Sequence, residues 1–188
     1  IWYYPIMKFV VANFKSNQMS GEAAEWVRTF KNEYSPRGGI EVILAPGFTN
    51  IQIMKEGLEE LEGLGIASQD SSPFPPGAYT GAVNAGQLAD LGVKYAIVGH
   101  SERRKWFHET HPEIANKCRE LLEQRITPIL CIDKDYLIAQ AAVLENEWIN
   151  RLIIAYEPAA AIGSGQPENP EKARQMAEEI RAKMPEVK

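Results

Sequence analysis

Six short apolar runs constrain this chain more than any other feature. They are Phe9-Val10-Val11-Ala12, Val42-Ile43-Leu44-Ala45, Gly65-Ile66-Ala67-Ser68, Tyr95-Ala96-Ile97-Val98, Pro128-Ile129-Leu130-Cys131 and Leu152-Ile153-Ile154-Ala155. They recur roughly every two to three dozen positions, which is room for a strand, a helix and two short loops. Runs without polar alternation suit strands covered on both faces. No hairpin signal joins any neighbouring pair, so the strands are expected to be parallel and linked through helices. The predicted fold class is α/β, built from six βα units.

The stretches between the runs carry helix boundaries. Thr110-His111-Pro112-Glu113 is a capping box with proline in the first turn, opening a helix through Leu122. Asn169-Pro170-Glu171 opens the last helix, with Ala173, Met176, Ala177 and Ile180 on one stripe before Pro185. Ser20 with Glu22 starts the first, where Ala23, Val27 and Phe30 share a face. The one long irregular stretch, Asp70 to Gly81, holds three prolines and two glycines, and loops of that length are usually functional or interfacial. No linker divides the chain, so residues 7–188 read as one domain behind a short N-terminal tail, 1–6.

Charge and cysteine content narrow the function. Twenty basic against 25 acidic residues give a net charge of −5, so no global field attracts nucleic acid or an anionic membrane. No apolar run approaches the roughly 20 residues of a membrane span. Cys118 and Cys131 alone make neither a disulfide framework nor a metal-ligand set, which fits a reducing cytosol and predicts a cytoplasmic protein.

In parallel α/β proteins the reactive side chains sit just past the carboxyl ends of the strands. Asn13 and Lys15 follow the first run, His100, Ser101 and Glu102 the fourth, and Glu157 the sixth. Any single polar strand end is as readily a helix cap or a solvated loop. A lysine, a histidine and a glutamate converging on one rim point to chemistry. The segment Glu157-Pro158-Ala159-Ala160-Ala161-Ile162-Gly163-Ser164-Gly165 has the composition of a short lid between hinges, with glycine amides free to approach an anion, although a plain βα turn has the same ingredients.

Ala12-Asn13-Phe14-Lys15, Tyr79-Thr80-Gly81, the run from Tyr95 through Gly99-His100-Ser101-Glu102-Arg103-Arg104, Pro128 to Ile132, and Ala155-Tyr156-Glu157-Pro158 with Ala161-Ile162-Gly163-Ser164-Gly165 together resemble the triosephosphate isomerase family. The likeness runs from Met7 nearly to the C-terminus in the family's order. It implies a TIM (β/α)8 barrel that interconverts dihydroxyacetone phosphate and glyceraldehyde 3-phosphate in glycolysis and gluconeogenesis, with no cofactor and no metal. Glu157 matches the family's base, His100 its electrophile and Lys15 the cation that stabilises the enediolate. Asn13 and Gly163 match substrate-binding positions, the latter through its backbone N–H on phosphate. Ser101 is expected to open a helix behind His100, and Glu102 to pair with Lys15. The 70–81 loop, with Phe74, Tyr79 and Thr80, matches the family's dimer arm and implies a homodimer. His108 and His111 match no catalytic position and read as surface or capping residues; Cys131 reads as a buried small hydrophobe.

The sequence also departs from the family. Ala159-Ala160 replace a usual valine and tryptophan in the lid, Ser68-Gln69-Asp70 a usual alanine-glutamine-asparagine, and the interval from Cys131 to Glu157 is shortened. The largest departure is two βα units short of eight, so the expectation is an incomplete barrel with open first and last strands. The alternative to an active isomerase is therefore a truncated, non-catalytic remnant of the same barrel.

Overall fold

A computed structural model describes residues 7–158, 161 and 166–185. The expected tail, the lid alanines Ala159 and Ala160, and Gly163 lie outside the described residues. Six strands, β1 (Lys8–Asn13), β2 (Ile40–Ala45), β3 (Leu64–Ser68), β4 (Tyr95–Val98), β5 (Thr127–Ile132) and β6 (Ile153–Tyr156), form one sheet in the order β1-β2-β3-β4-β5-β6. Every pairing is parallel, with registers such as Val10↔Val42, Ala67↔Tyr95 and Cys131↔Ala155. All six runs read from the sequence are strands, and the fold is the α/β TIM-barrel architecture with six βα units.

The strands alternate between two apolar layers. Ile43, Ala45, Ala67, Ile97, Ile129 and Cys131 meet on the inner face, with Tyr95, Ile153 and Ala155 against them. Leu44, Ile66, Ala96, Val98, Leu130 and Ile132 point the other way, into the helices. Period-two alternation with apolar residues on both faces is what a doubly covered strand requires. The sheet is curled. Across three strand intervals, about 14 Å in a flat sheet, the Phe9 ring of β1 still meets the Tyr95 ring of β4 with centroids 6.4 Å apart. Gly65 on β3 leaves room for this, since a Cβ there would lie 2.7 Å from the Tyr95 ring.

β1 departs from the expected two-sided burial. Val10 is 53% exposed and Phe9 and Val11 are also exposed. The reason is its position: among the described residues β1 pairs only with β2.

The helices are α1 (Ser20–Glu33), α2 (Ile51–Leu58), α3 (Ala85–Asp90), α4 (Ser101–Trp106), α5 (His111–Glu123), α6 (Lys134–Ala141), α7 (Asn146–Ile149) and α8 (Pro170–Lys183). The Thr110 box forms as expected: Thr110 Oγ1 accepts from Glu113 N–H at 3.4 Å, and Glu113 accepts from Thr110 N–H at 2.8 Å. Asn169 caps α8 by accepting from Glu171 N–H at 2.8 Å, and Met176 and Ile180 carry its buried stripe. Two features were not legible in the apolar pattern. The crossover after β4 is broken into α4 and α5, with His108 at φ 56° in the break. The shortened interval after β5 holds two short helices, α6 and α7.

Candidate active site

Asn13, Gln69, His100 and Glu157 all stand at the carboxyl ends of strands or just past them, at one end of the curled sheet. Lys15 holds a left-handed backbone, φ 53°, unusual for a residue with a Cβ. Its surroundings fix that conformation. Lys15 N–H donates to Asn13 Oδ1 at 2.9 Å, and Gln69 Nε2 donates to both Lys15 O and Ala45 O at 2.8 Å. Strained backbone persists only where neighbours over-determine it, and such positions cluster at functional sites.

From Lys15 a chain of polar contacts crosses the rim. Lys15 Nζ meets Glu102 Oε1 at 2.6 Å, the pair expected from the sequence. Glu102 N–H donates to His100 Nδ1 at 3.1 Å, because His100 is the N-cap of α4. Gly99, at φ 66°, makes the turn that places it there. An Nδ1 that accepts leaves the ring proton on Nε2, which points to Glu157 with an Nε2–Oε1 separation of 3.4 Å. The other carboxylate oxygen accepts from Ser101 N–H at 3.4 Å, a weak contact at the first turn of the helix. Glu157 N–H donates to Ile132 O at 2.9 Å, tying the end of β6 to β5.

A cleft of about 400 Å³ opens beside these groups, lined by Asn13, Lys15, Gln69, His100 and Glu102 among others. That volume is in the range of small-molecule sites. Asn13, Lys15, His100, Ser101, Glu102 and Glu157 are thus brought together. Gly163 falls outside the described residues. The 70–81 loop is irregular as expected, and its Phe74 and Tyr79 rings stack at 4.5 Å while remaining exposed.

Beneath the rim lies an ionic quartet that sequence reasoning did not find. Lys117 Nζ meets Asp70 Oδ1 at 2.6 Å and Glu109 Oε1 at 2.5 Å; Arg103 meets Asp70 Oδ2 at 2.8 Å and also pairs with Glu109. Burial pushes the Asp70 carboxyl up from its ordinary value, opposed chiefly by the Lys117 charge. Removing one member of such a buried set costs about 3–5 kcal/mol, because its partner is left uncompensated. Gln69 was also missed, although its place directly after the third run was a usable signal. Cys131 is buried as read, but it is more than filler: burial, then the adjacent Glu157 charge and a hydrogen bond to that carboxylate, push its thiol far up. His111 is not a plain capping residue either, since its Nδ1 lies 3.1 Å from Arg104. Among the described residues no group of three or more His, Cys, Asp or Glu could hold a metal ion, and no helix is long and apolar enough to cross a membrane.

Comparison with known proteins agrees along the whole length. The sequence profile of the family described as triosephosphate isomerase matches residues 8–188. The chain is similar to the triosephosphate isomerase of Thermus thermophilus, 37% identical over 94% of this chain and 76% of the relative. It is likewise similar to that of Delftia acidovorans, 34% identical over 94% and 77%, and of Roseiflexus castenholzii, 36% identical over 92% and 73%.

Proposed function

The chain belongs to the triosephosphate isomerase family, and from that premise we propose that it interconverts dihydroxyacetone phosphate and D-glyceraldehyde 3-phosphate through an enediolate. The observation that carries this reading is the continuous contact from Lys15 through Glu102 and His100, which line one cleft, to Glu157. In the forward direction the Glu157 carboxylate takes a proton from the hydroxymethyl carbon next to the carbonyl. Electron density moves onto the carbonyl oxygen, and His100 Nε2–H donates to it. Because Nδ1 accepts from the Glu102 amide, the donor is an imidazole with its one proton on Nε2. Lys15 supplies the cation that offsets the enediolate and the substrate phosphate, held in place by Glu102. Asn13 shapes the Lys15 backbone, and Gly163 is assigned to the phosphate through its N–H. His100 passes its Nε2 proton to the carbonyl oxygen and takes the proton of the adjacent hydroxyl in its place, and Glu157 then returns its own proton to the neighbouring carbon. A positioned base of this kind contributes about 10²–10⁴-fold.

The family context extends the reading to a place in glycolysis and gluconeogenesis in the cytoplasm, without cofactor, and to a homodimer whose 70–81 arm seats Phe74 and Tyr79 on a second copy. A second reading is a non-catalytic remnant of the same barrel. Incubation of the chain with dihydroxyacetone phosphate in D2O decides between them. An isomerase exchanges deuterium into the hydroxymethyl group and forms the aldose, and Glu157→Gln abolishes both. Proton loss no faster than in Glu157→Gln would leave the remnant reading standing. Light scattering at rising concentration tests the dimer.

A further inference from the structure

Arg104 lies on α4, four residues past His100, and is buried at 9% exposure. Its hydrogen bonds among the described residues go to neutral groups. Nε donates to Gly99 O at 2.7 Å, and Nη2 to Cys131 O and Gln140 Oε1, both at 3.1 Å. Nη1 stands 3.1 Å from His111 Nδ1, and the guanidinium carbon sits 4.7 Å from the Tyr136 ring centroid. A guanidinium stays protonated in proteins, so this is a full charge in the interior that no carboxylate among the described residues pairs. Burying such a charge is costly. Chain geometry makes room for it: a Cβ on Gly99 would lie 2.7 Å from Nη2.

Its position relative to the rim is specific. Gly99 precedes His100, and Cys131 turns its thiol toward Glu157. One guanidinium therefore grips the carbonyls at the ends of β4 and β5 that set His100 and Glu157 face to face. We propose that Arg104 is a positioning residue: by clamping these two strand ends it fixes how His100 and the Glu157 carboxylate face one another. The importance of that carboxylate for turnover rests on the reading of Glu157 as the base. Burial lowers the proton affinity of Arg104, while Tyr136, Cys131, Glu109 and Glu157 act in the opposite sense.

The groups facing the pair are few. Arg104 meets His111 from α5, Tyr136 and Gln140 from α6, Cys131 from β5 and the Glu109 charge from the α4–α5 turn. Glu157 meets His100, the Ser101 amide and Cys131. Gln140 Nε2 donates to His111 O at 3.2 Å, which orients its Oε1 toward Arg104. His111 can accept from Arg104 only through an unprotonated Nδ1.

The test is NMR of the full chain at one neutral pH, with the histidine ring nitrogens and the glutamate carboxyl carbons labelled. The His100 and Glu157 signals are identified by their loss in His100→Gln and Glu157→Gln. Arg104→Gln should move both signals, and Arg104→Lys should move them less. Gly65→Ala, a destabilising change away from the clamp, should leave both in place. Unmoved signals in Arg104→Gln overturn the proposal. If Arg104→Gln fails to fold, Arg104→Lys carries the test: a single ammonium cannot hold both carbonyls as the guanidinium fork does, so two unmoved signals overturn the clamp. Moved signals alongside undiminished deuterium exchange in Glu157→Gln would instead remove Glu157 as base and leave the clamp intact.

Discussion

At the scale of single residues, Glu102 separates stability from chemistry. Its pair with Lys15 is 38% and 40% exposed on the two sides, so solvent screens it and its worth to folding is below about 1 kcal/mol. Glu102→Gln should therefore shift Tm by no more than about 2–4 °C. The same change frees the Lys15 ammonium, and misplacement near 1 Å can cost about 10²-fold in rate. Calorimetry and turnover of the triose phosphate measured on one preparation check both halves; a large Tm loss would make the pair structural. Gly65 gives the opposite case. Gly65→Ala drives a methyl against the Tyr95 ring, and overpacking of this kind costs about 1–3 kcal/mol. Urea unfolding with an unchanged midpoint would mean that the inner layer under Tyr95 is looser than its contacts indicate.

Elements differ in how openly the sequence declares them. Thr110 and Asn169 announce their helices because a cap is a local device, settled within four residues. Lys15, His100 and Glu157 are legible for a related reason: each follows an apolar run at a short offset, where a parallel strand must end. The quartet is not legible, because Asp70 and Lys117 stand 47 positions apart and only the closed fold joins them. Arg104 reads as an ordinary polar helix residue until β5 and α6 are packed over it. The breaks between α4 and α5 and between α6 and α7 leave the apolar spacing almost unchanged, so periodicity passes over them.

The Thr110 box makes a pH-dependent prediction. The Thr110 amide, then its hydroxyl, hold the Glu113 carboxyl below its ordinary value of 4.5. A lowered folded-state value means stability that is present above the unfolded value and is lost as pH falls through the folded one. Thr110→Ala should cost about 1 kcal/mol at neutral pH. The difference in Tm from the parent should narrow below about pH 4, as both proteins lose the ionised carboxylate. A difference independent of pH would assign the loss to the threonine side chain alone.

For the whole molecule the decisive fact is the asymmetry of the sheet. β2 to β5 are covered by helices on one face and by one another on the other, whereas β1 carries Phe9 and Val11 toward the inner face and Val10 outward, all exposed. Eight strands at the usual tilt close a barrel and bury such positions; among the described residues β1 pairs only with β2 and β6 only with β5. An edge strand of alternating apolar residues offers unpaired N–H and C=O groups to any second chain, and proteins commonly blunt such edges with lysine. For the 188-residue chain by itself, association through this edge should appear in light scattering as mass that rises with protein concentration. Val10→Lys places a charge on the outward side of β1 without touching the His100–Glu157 rim, and should lower that mass toward a limiting value. The arm contact proposed for Phe74 and Tyr79, which lie within the β3–α3 connection, should survive the substitution. If Val10→Lys leaves the concentration dependence unchanged, β1 is not the adhesive edge, and the exposed arm becomes the contact to alter next.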